Sequence, residues 1–167
     1  MTRSEYNNCV DDYSDAIFRF IRKSLNDDDD AADIVQEAYT RLWEKVETVS
    51  YDKVKSYLFT SAYHIMIDFI RKRKKVVAEK DSGDVFMDEK YGSYDADMNI
   101  DLKTILDEAL SRLPEIQKSV ILLRDYEGYS YQEIGEVCKL KESQVKVYIY
   151  RARLTLQKYL KSADLVI

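Results

Sequence analysis

Residues 130–153 read SYQEIGEVCKLKESQVKVYIYRAR, and their spacing decides the fold. Ser130 and Glu133 make the S-x-x-E pattern of a capping box, so a helix begins at Tyr131, runs through Ile134 and Val137, and ends near Cys138-Lys139. After that turn Val145, Ile149, Ala152, Leu156 and Leu160 recur at helical spacing, one apolar seam along a longer helix. A short helix, a tight turn and a longer helix make a helix-turn-helix, whose second helix enters the DNA major groove. That helix carries Lys146, Arg151, Arg153, Lys158 and Lys161 with no acid between Glu142 and Asp164. Local positive charge suits phosphate contact, while acid elsewhere in the chain limits indiscriminate binding. The competing reading is a solvated basic face with Val147 and Tyr150 as a helix-packing surface.

Working outward, Gly128 stops a helix that begins at Pro114 and runs through Val120 to Leu123. A short helix with Ile105, Leu106, Ala109, Leu110 and Leu113 precedes it. Residues 79–101, EKDSGDVFMDEKYGSYDADMNID, hold eight acids against two lysines and break the periodicity. They read as a flexible, self-repelling acidic linker. With 13 basic and 14 acidic side chains in 1–78 and 11 and 9 in 102–167, the acidity of a chain of formal charge -5 lies in its middle.

Toward the N-terminus, Tyr13, Ala16, Ile17, Phe20, Ile21 and Ser24 share a helical face that the run Asn26 to Asp30 ends. Asp30 can cap the next helix, with apolar stripe Ile34, Val35, Ala38, Tyr39, Leu42 and Val46. A third helix, about 54–75, buries Leu58, Ala62, Ile65 and Phe69 and ends in Arg71, Lys72, Arg73, Lys74 and Lys75. The helix dipole accounts for one or two of these cations. The fold class is therefore all-α: two small helical domains, 1–78 and 102–167, joined by the linker 79–101. Each is small enough to be marginal alone.

Four glycines and one proline in 167 residues argue against Gly-rich phosphate loops. Cys9 and Cys138 lack a CxxC partner, so neither a disulfide framework nor a zinc site is indicated. Asp27 to Asp30 lack the alternation, glycine and terminal glutamate of an EF-hand. No catalytic residue, metal or cofactor is expected. No run of about 18 apolar residues and no signal-peptide pattern are present, which reads as a cytoplasmic protein without membrane insertion.

Four stretches, DAADIVQEAYTRLWEKV (30–46), VKSYLFTSAYHIMIDFIRKRKK (54–75), ALSRLPEIQKSVILLRDYEGYSYQEIGEV (109–137) and KESQVKVYIYRARLTLQ (141–157), together resemble the sigma-70 family of bacterial transcription initiation factors, specifically its extracytoplasmic-function group. The resemblance covers nearly the whole chain. It implies a σ2-like helical bundle, a σ4-like helix-turn-helix and no σ3 domain, in a protein that is not an enzyme and lends promoter specificity to core RNA polymerase. It also implies that Asp33, Gln36, Glu37, Leu42 and Trp43 dock on the polymerase β′ coiled coil. Trp43 is by itself as well read as core as anchor. The resemblance further implies that Tyr57, Thr60, His64, Asp68 and Arg71 face the minus-10 element, and that residues 47–55 form the segment capturing a flipped base. Ser143, Gln144, Lys146, Val147, Tyr150 and Arg151 fall at minus-35 positions.

The partners it implies are the β′ and β subunits of core polymerase, promoter DNA and an anti-sigma factor, often membrane-bound. His64 stands where the family commonly has Asn, Gly135 where it has Ala, Lys139 where it has Gly, and Gln144 where Thr is common. The main alternative is a free-standing helix-turn-helix regulator, which leaves residues 33–46 and 71–75 unassigned. An enzyme using the clustered acids and an adaptor pairing through Val147, Tyr150 and Leu154 are further alternatives.

Overall fold

The computed structural model describes residues 1–80 and 102–166, all helices and turns among the described residues. Helix α1 spans Arg3–Leu25, α2 Asp28–Glu44, α3 Val54–Lys80, α4 Leu102–Ser111, α5 Glu115–Ile121, α6 Tyr131–Cys138 and α7 Glu142–Val166. The expected linker lies outside the described residues except at 79 and 80, which continue α3.

In α1, Ile17, Phe20, Ile21 and Ser24 are buried, as their spacing predicts. Asn26 ends the helix in the left-handed conformation, at φ 57°, with its N–H on the Arg22 carbonyl. The cap of α2 differs from expectation: Asp27, not Asp30, accepts from a backbone N–H, that of Asp30 itself at 2.9 Å. Four consecutive aspartates offer equivalent caps, and the earliest one leaves three acids in the first turn, where the dipole favours them. Tyr39 ties the pair together, its hydroxyl donating to the Cys9 carbonyl at 2.8 Å while Tyr6 donates to the Tyr39 carbonyl at 3.0 Å. Burial pushes the Tyr39 phenol up to about 12.

The second half follows its punctuation. Pro114 stands just ahead of α5 rather than inside its first turn, and a wider π-helical turn over Leu122–Tyr126 prolongs that helix to Gly128, at φ 75°. Both limbs of the Ser130–Glu133 box form, at 3.1 and 2.9 Å. Lys139 ends α6 at φ 57°, a conformation costing a side-chain-bearing residue about 1 kcal/mol or more. Gly135 sits under this turn, where a Cβ would meet the Leu140 carbonyl oxygen at 2.7 Å. Gly135 and Lys139 therefore belong to one local solution, a turn drawn close over the helix before it.

Helix α3 is apolar on two faces. Leu58, Ala62 and Ile65 are buried as the first seam predicts, with Phe69 half-buried; α1 and α2 pack on this helix. Phe59, Tyr63 and Met66 are buried too, on a second face against which α6 packs. The Phe59 ring meets Tyr129 edge-on at 5.0 Å and Phe20 at 6.1 Å. The buried side chains of both halves consequently form one continuous cluster. Two domains that would each bury a modest core gain from sharing one.

Polar contacts stitch the same boundary. Lys118 is buried, and its Nζ donates to the Ser24 carbonyl at 2.9 Å with Glu115 at 3.6 Å. Arg19 makes a bidentate pair with Glu127, at 2.9 and 2.7 Å, which holds the guanidinium pKa above its ordinary value. The Lys55 ammonium stands 4.3 Å from the centre of the Tyr129 ring.

Candidate nucleic-acid interface

The second helix of the helix-turn-helix is α7, held against α6 and α5 by buried Val145, Ile149 and Ala152. That packing turns Ser143, Gln144, Lys146, Val147, Tyr150 and Arg151 outward, all six exposed. Tyr150 is 65% exposed and Val147 44%, so neither is a packing residue within the described chain. Gln144 has a structural task as well, its Oε1 accepting from the Lys141 N–H at the helix start. Arg153, counted above in the positive face, is tied to Asp125 at 2.6 Å. Its charge is locally neutralised, which leaves Lys146, Arg151, Lys158 and Lys161 as the cations of α7 without an acidic partner among the described residues.

Tyr131 was not singled out by sequence, yet it lies between two cations. The Arg124 guanidinium is 4.5 Å from its ring centre and the Lys146 ammonium 5.5 Å. A ring flanked in this way restrains two phosphate-seeking groups with little loss of their charge. The clue was an aromatic next to a helix cap, placed between basic residues 7 before it and 15 after it.

On α2, Asp33, Gln36 and Glu37 are exposed along one side. Trp43 is 50% exposed with Tyr6 stacked edge-on at 5.0 Å, a rigid, partly wet indole suited to anchoring a partner. Leu42 corrects the expectation: it is fully buried. It faces the core of the helical bundle. Asp30, Asp33, Glu37 and Asp68 line a groove between α2 and α3 with Arg41 and Lys72.

On α3, Asp68 and Arg71 are exposed and 3.8 Å apart, whereas Tyr57, Thr60 and His64 are half-buried. His64 packs edge-on to Tyr63 at 5.3 Å, and its Nε2 is buried without a hydrogen-bond partner. Burial and then the Lys139 ammonium lower its pKa, against a smaller pull from Asp68. Residues 47–50 form a turn that leads into a short 3-10 helix, Tyr51–Lys53, with Tyr51 exposed, and residues 54 and 55 already open α3. Among the described residues no cluster of three or more His, Cys, Asp or Glu side chains could hold a metal ion. Nor is any described helix long and apolar enough to cross a membrane.

Known proteins share this plan. The family model "Sigma-70 region 2" matches residues 9–76 and "Sigma-70, region 4" residues 103–156. RNA polymerase sigma factor SigV of Bacillus subtilis (strain 168) is 32% identical, over 94% of this chain and 92% of its own length. The chain belongs to the sigma-70 family, in its extracytoplasmic-function group. ECF RNA polymerase sigma factor SigM of the same organism is 26% identical over 87% of this chain and 88% of that one.

In fold, the sigma factor RpoE of Bartonella quintana, solved in complex with the anti-sigma factor NepR, aligns at a TM-score of 0.74. It is 24% identical and the alignment covers 93% of this chain and 96% of that one. CnrH, solved with the cytosolic domain of CnrY, aligns at 0.69 and 21% identity over 94% and 88%. This sigma factor directs promoter-specific transcription initiation. The region 2 match accounts for residues that a free-standing helix-turn-helix regulator leaves idle. The family consists of initiation factors that are not enzymes.

Proposed function

We propose that the sigma factor divides its work among three surfaces. Asp33, Gln36, Glu37 and Trp43 on α2 dock on the β′ subunit of core RNA polymerase, with Leu42 positioning the helix from within. Tyr57, Thr60, His64, Asp68 and Arg71 on α3 hold the minus-10 strand, and residues 47–55 capture a flipped base, whose unstacking costs a few kcal/mol that the pocket must return. Ser143, Gln144, Lys146, Val147, Tyr150 and Arg151 read the minus-35 duplex: the cations reach phosphate or guanine, and Val147 and Tyr150 press on thymine methyls or sugars. The domains are 1–78 and 102–167, with 79–101 as an acidic linker that runs through the polymerase near the RNA exit path, and the β subunit is the second polymerase partner.

The protein works in the cytoplasm without catalysis of its own, and an anti-sigma factor holds it off. The observation that carries this reading is the full outward display of the α7 residues on a helix whose seam is fixed by the core. Run-off transcription from a library of promoter fragments, with bacterial core polymerase, tests it. Start sites appear only when the protein is added, and Trp43→Ala or Arg151→Ala removes them. Specific start sites that survive both substitutions would contradict the assignment of surfaces.

A further inference from the structure

Gln144 is tied twice to the residue that opens α7. Its Oε1 accepts from the Lys141 N–H at 2.9 Å, and its own main-chain N–H donates to the Lys141 carbonyl, also at 2.9 Å. This is the glutamine half of a capping box, in which the third helical residue reaches back to the N-cap. The side chain's partner is a backbone N–H, a group that only donates, so the atom meeting it is the amide oxygen and not the amide nitrogen. Gln144 nonetheless stays exposed, three residues before Val147 and seven before Arg151 on one side of the helix.

The cap decides what this amide has left to give. Its oxygen is turned back toward residue 141, so the group remaining for the groove is the NH2. A glutamine with both ends of its amide free pairs bidentately with adenine through N6 and N7. Gln144 lacks the free oxygen for that. A donor alone suits an edge that shows acceptors: guanine, with O6 and N7 side by side, and then thymine, with O4. Cytosine shows the N4 donor and adenine an N6 donor beside its N7, so both set donor against donor. The bond to Lys141 also holds the side chain before DNA arrives, and little rotamer freedom is lost on contact. The first turn of the second helix is where a helix-turn-helix meets base edges.

We propose that Gln144, locked by Lys141, is a donor-only reader of one minus-35 base, selecting guanine or thymine over cytosine and adenine. The inference rests on the assignment of α7 to the minus-35 duplex made above. Phosphate oxygen is the other acceptor such a group can meet, and it carries no sequence information.

Gln144→Glu separates the two tasks. A glutamate here keeps the cap, since its carboxylate accepts from the N-cap N–H as Glu133 does from Ser130, but it turns the outward donor into an acceptor. Gln144→Ala removes both functions. Run-off transcription with core polymerase, from promoter fragments randomised across the minus-35 element and with the products sequenced, gives base frequencies for the wild type and each variant. The expected result is one position at which the wild type favours guanine and thymine by about tenfold. There Gln144→Glu favours cytosine or adenine and Gln144→Ala has no preference, with the other positions unchanged.

Frequencies that are selective but identical in all three proteins make Gln144 a cap only and overturn the proposal. A uniform loss of product across all sequences, with no position reversed, overturns base reading in favour of a phosphate contact. A wild-type preference for adenine at the position that responds overturns the donor-only face. Start sites with flat minus-35 frequencies in all three proteins overturn the assignment of α7 itself. Should no start sites form, duplexes of the same library retained by the protein with core polymerase are sequenced instead. The presence or absence of the same reversal then decides.

Discussion

Helices α3 and α7, of 27 and 25 residues, both present proposed DNA contacts, but the chain treats them differently. Helix α7 buries one seam and leaves all six proposed contacts exposed. Helix α3 buries two faces, and three of its five proposed contacts are half-covered, with the second domain beside them. A duplex-reading surface needs only a rigid helix and open space. The α3 face lies partly beneath the second half, whereas the α7 face is open.

The contrast breaks most sharply at Phe59. Phe59→Ala should cost about 3–5 kcal/mol of stability in urea titration, since it removes a fully buried ring from the shared core, while Tyr150→Ala should stay within about 0.5 kcal/mol. Comparable losses would mean that α7 is not the free helix. Next in size is Gly135→Ala, expected to cost about 1–3 kcal/mol because the new methyl drives into the Leu140 carbonyl and pushes the turn off α6. Thermal melts read this directly, and an unchanged melting temperature would show that the turn has slack.

Lys139→Gly works in the opposite sense. Relief of the left-handed strain should offset the added unfolded-state entropy and stabilise the fold by at most about 1 kcal/mol, measured by the same titration. The smallest effect is on pH. The folded pKa of His64 lies below the ordinary 6.5, so the unfolded or undocked state binds the proton more readily. Its contribution is complete above about pH 6.5 and falls away as pH drops from there through the lower folded value. Melting temperatures at pH 7.5 and 5.5 should therefore differ by less in His64→Gln than in the wild type, and equal differences would remove His64 from the account.

Local features were legible in the sequence because their causes are local. The Ser130–Glu133 box, the Lys139 turn and the first seams of α1, α3 and α7 each follow from residues within a turn or two of one another. The second face of α3 was present as Phe59, Tyr63 and Met66 at helical spacing, but interleaved with Leu58, Ala62 and Ile65 it blurs the one-sided pattern that signals a surface helix. Lys118 carries no such signal, since its burial depends on a carbonyl 94 residues away. The α2 cap slipped from Asp30 to Asp27 because identical neighbours give sequence no means of choosing. For the proposed interface, the exposure of the α7 positions followed from the seam opposite them, while the burial of Leu42 was not signalled by its place in the motif.

Hydroxyl-radical footprinting of the free chain, read residue by residue by mass spectrometry, tests the central contrast most directly. Trp43 and Tyr150 should be oxidised rapidly while Phe59, Tyr63 and Tyr129 are protected as a group. Oxidation of Phe59, Tyr63 and Tyr129 at the rate of Tyr150 would contradict it, since the two halves would then stand apart and α3 would be as open as α7.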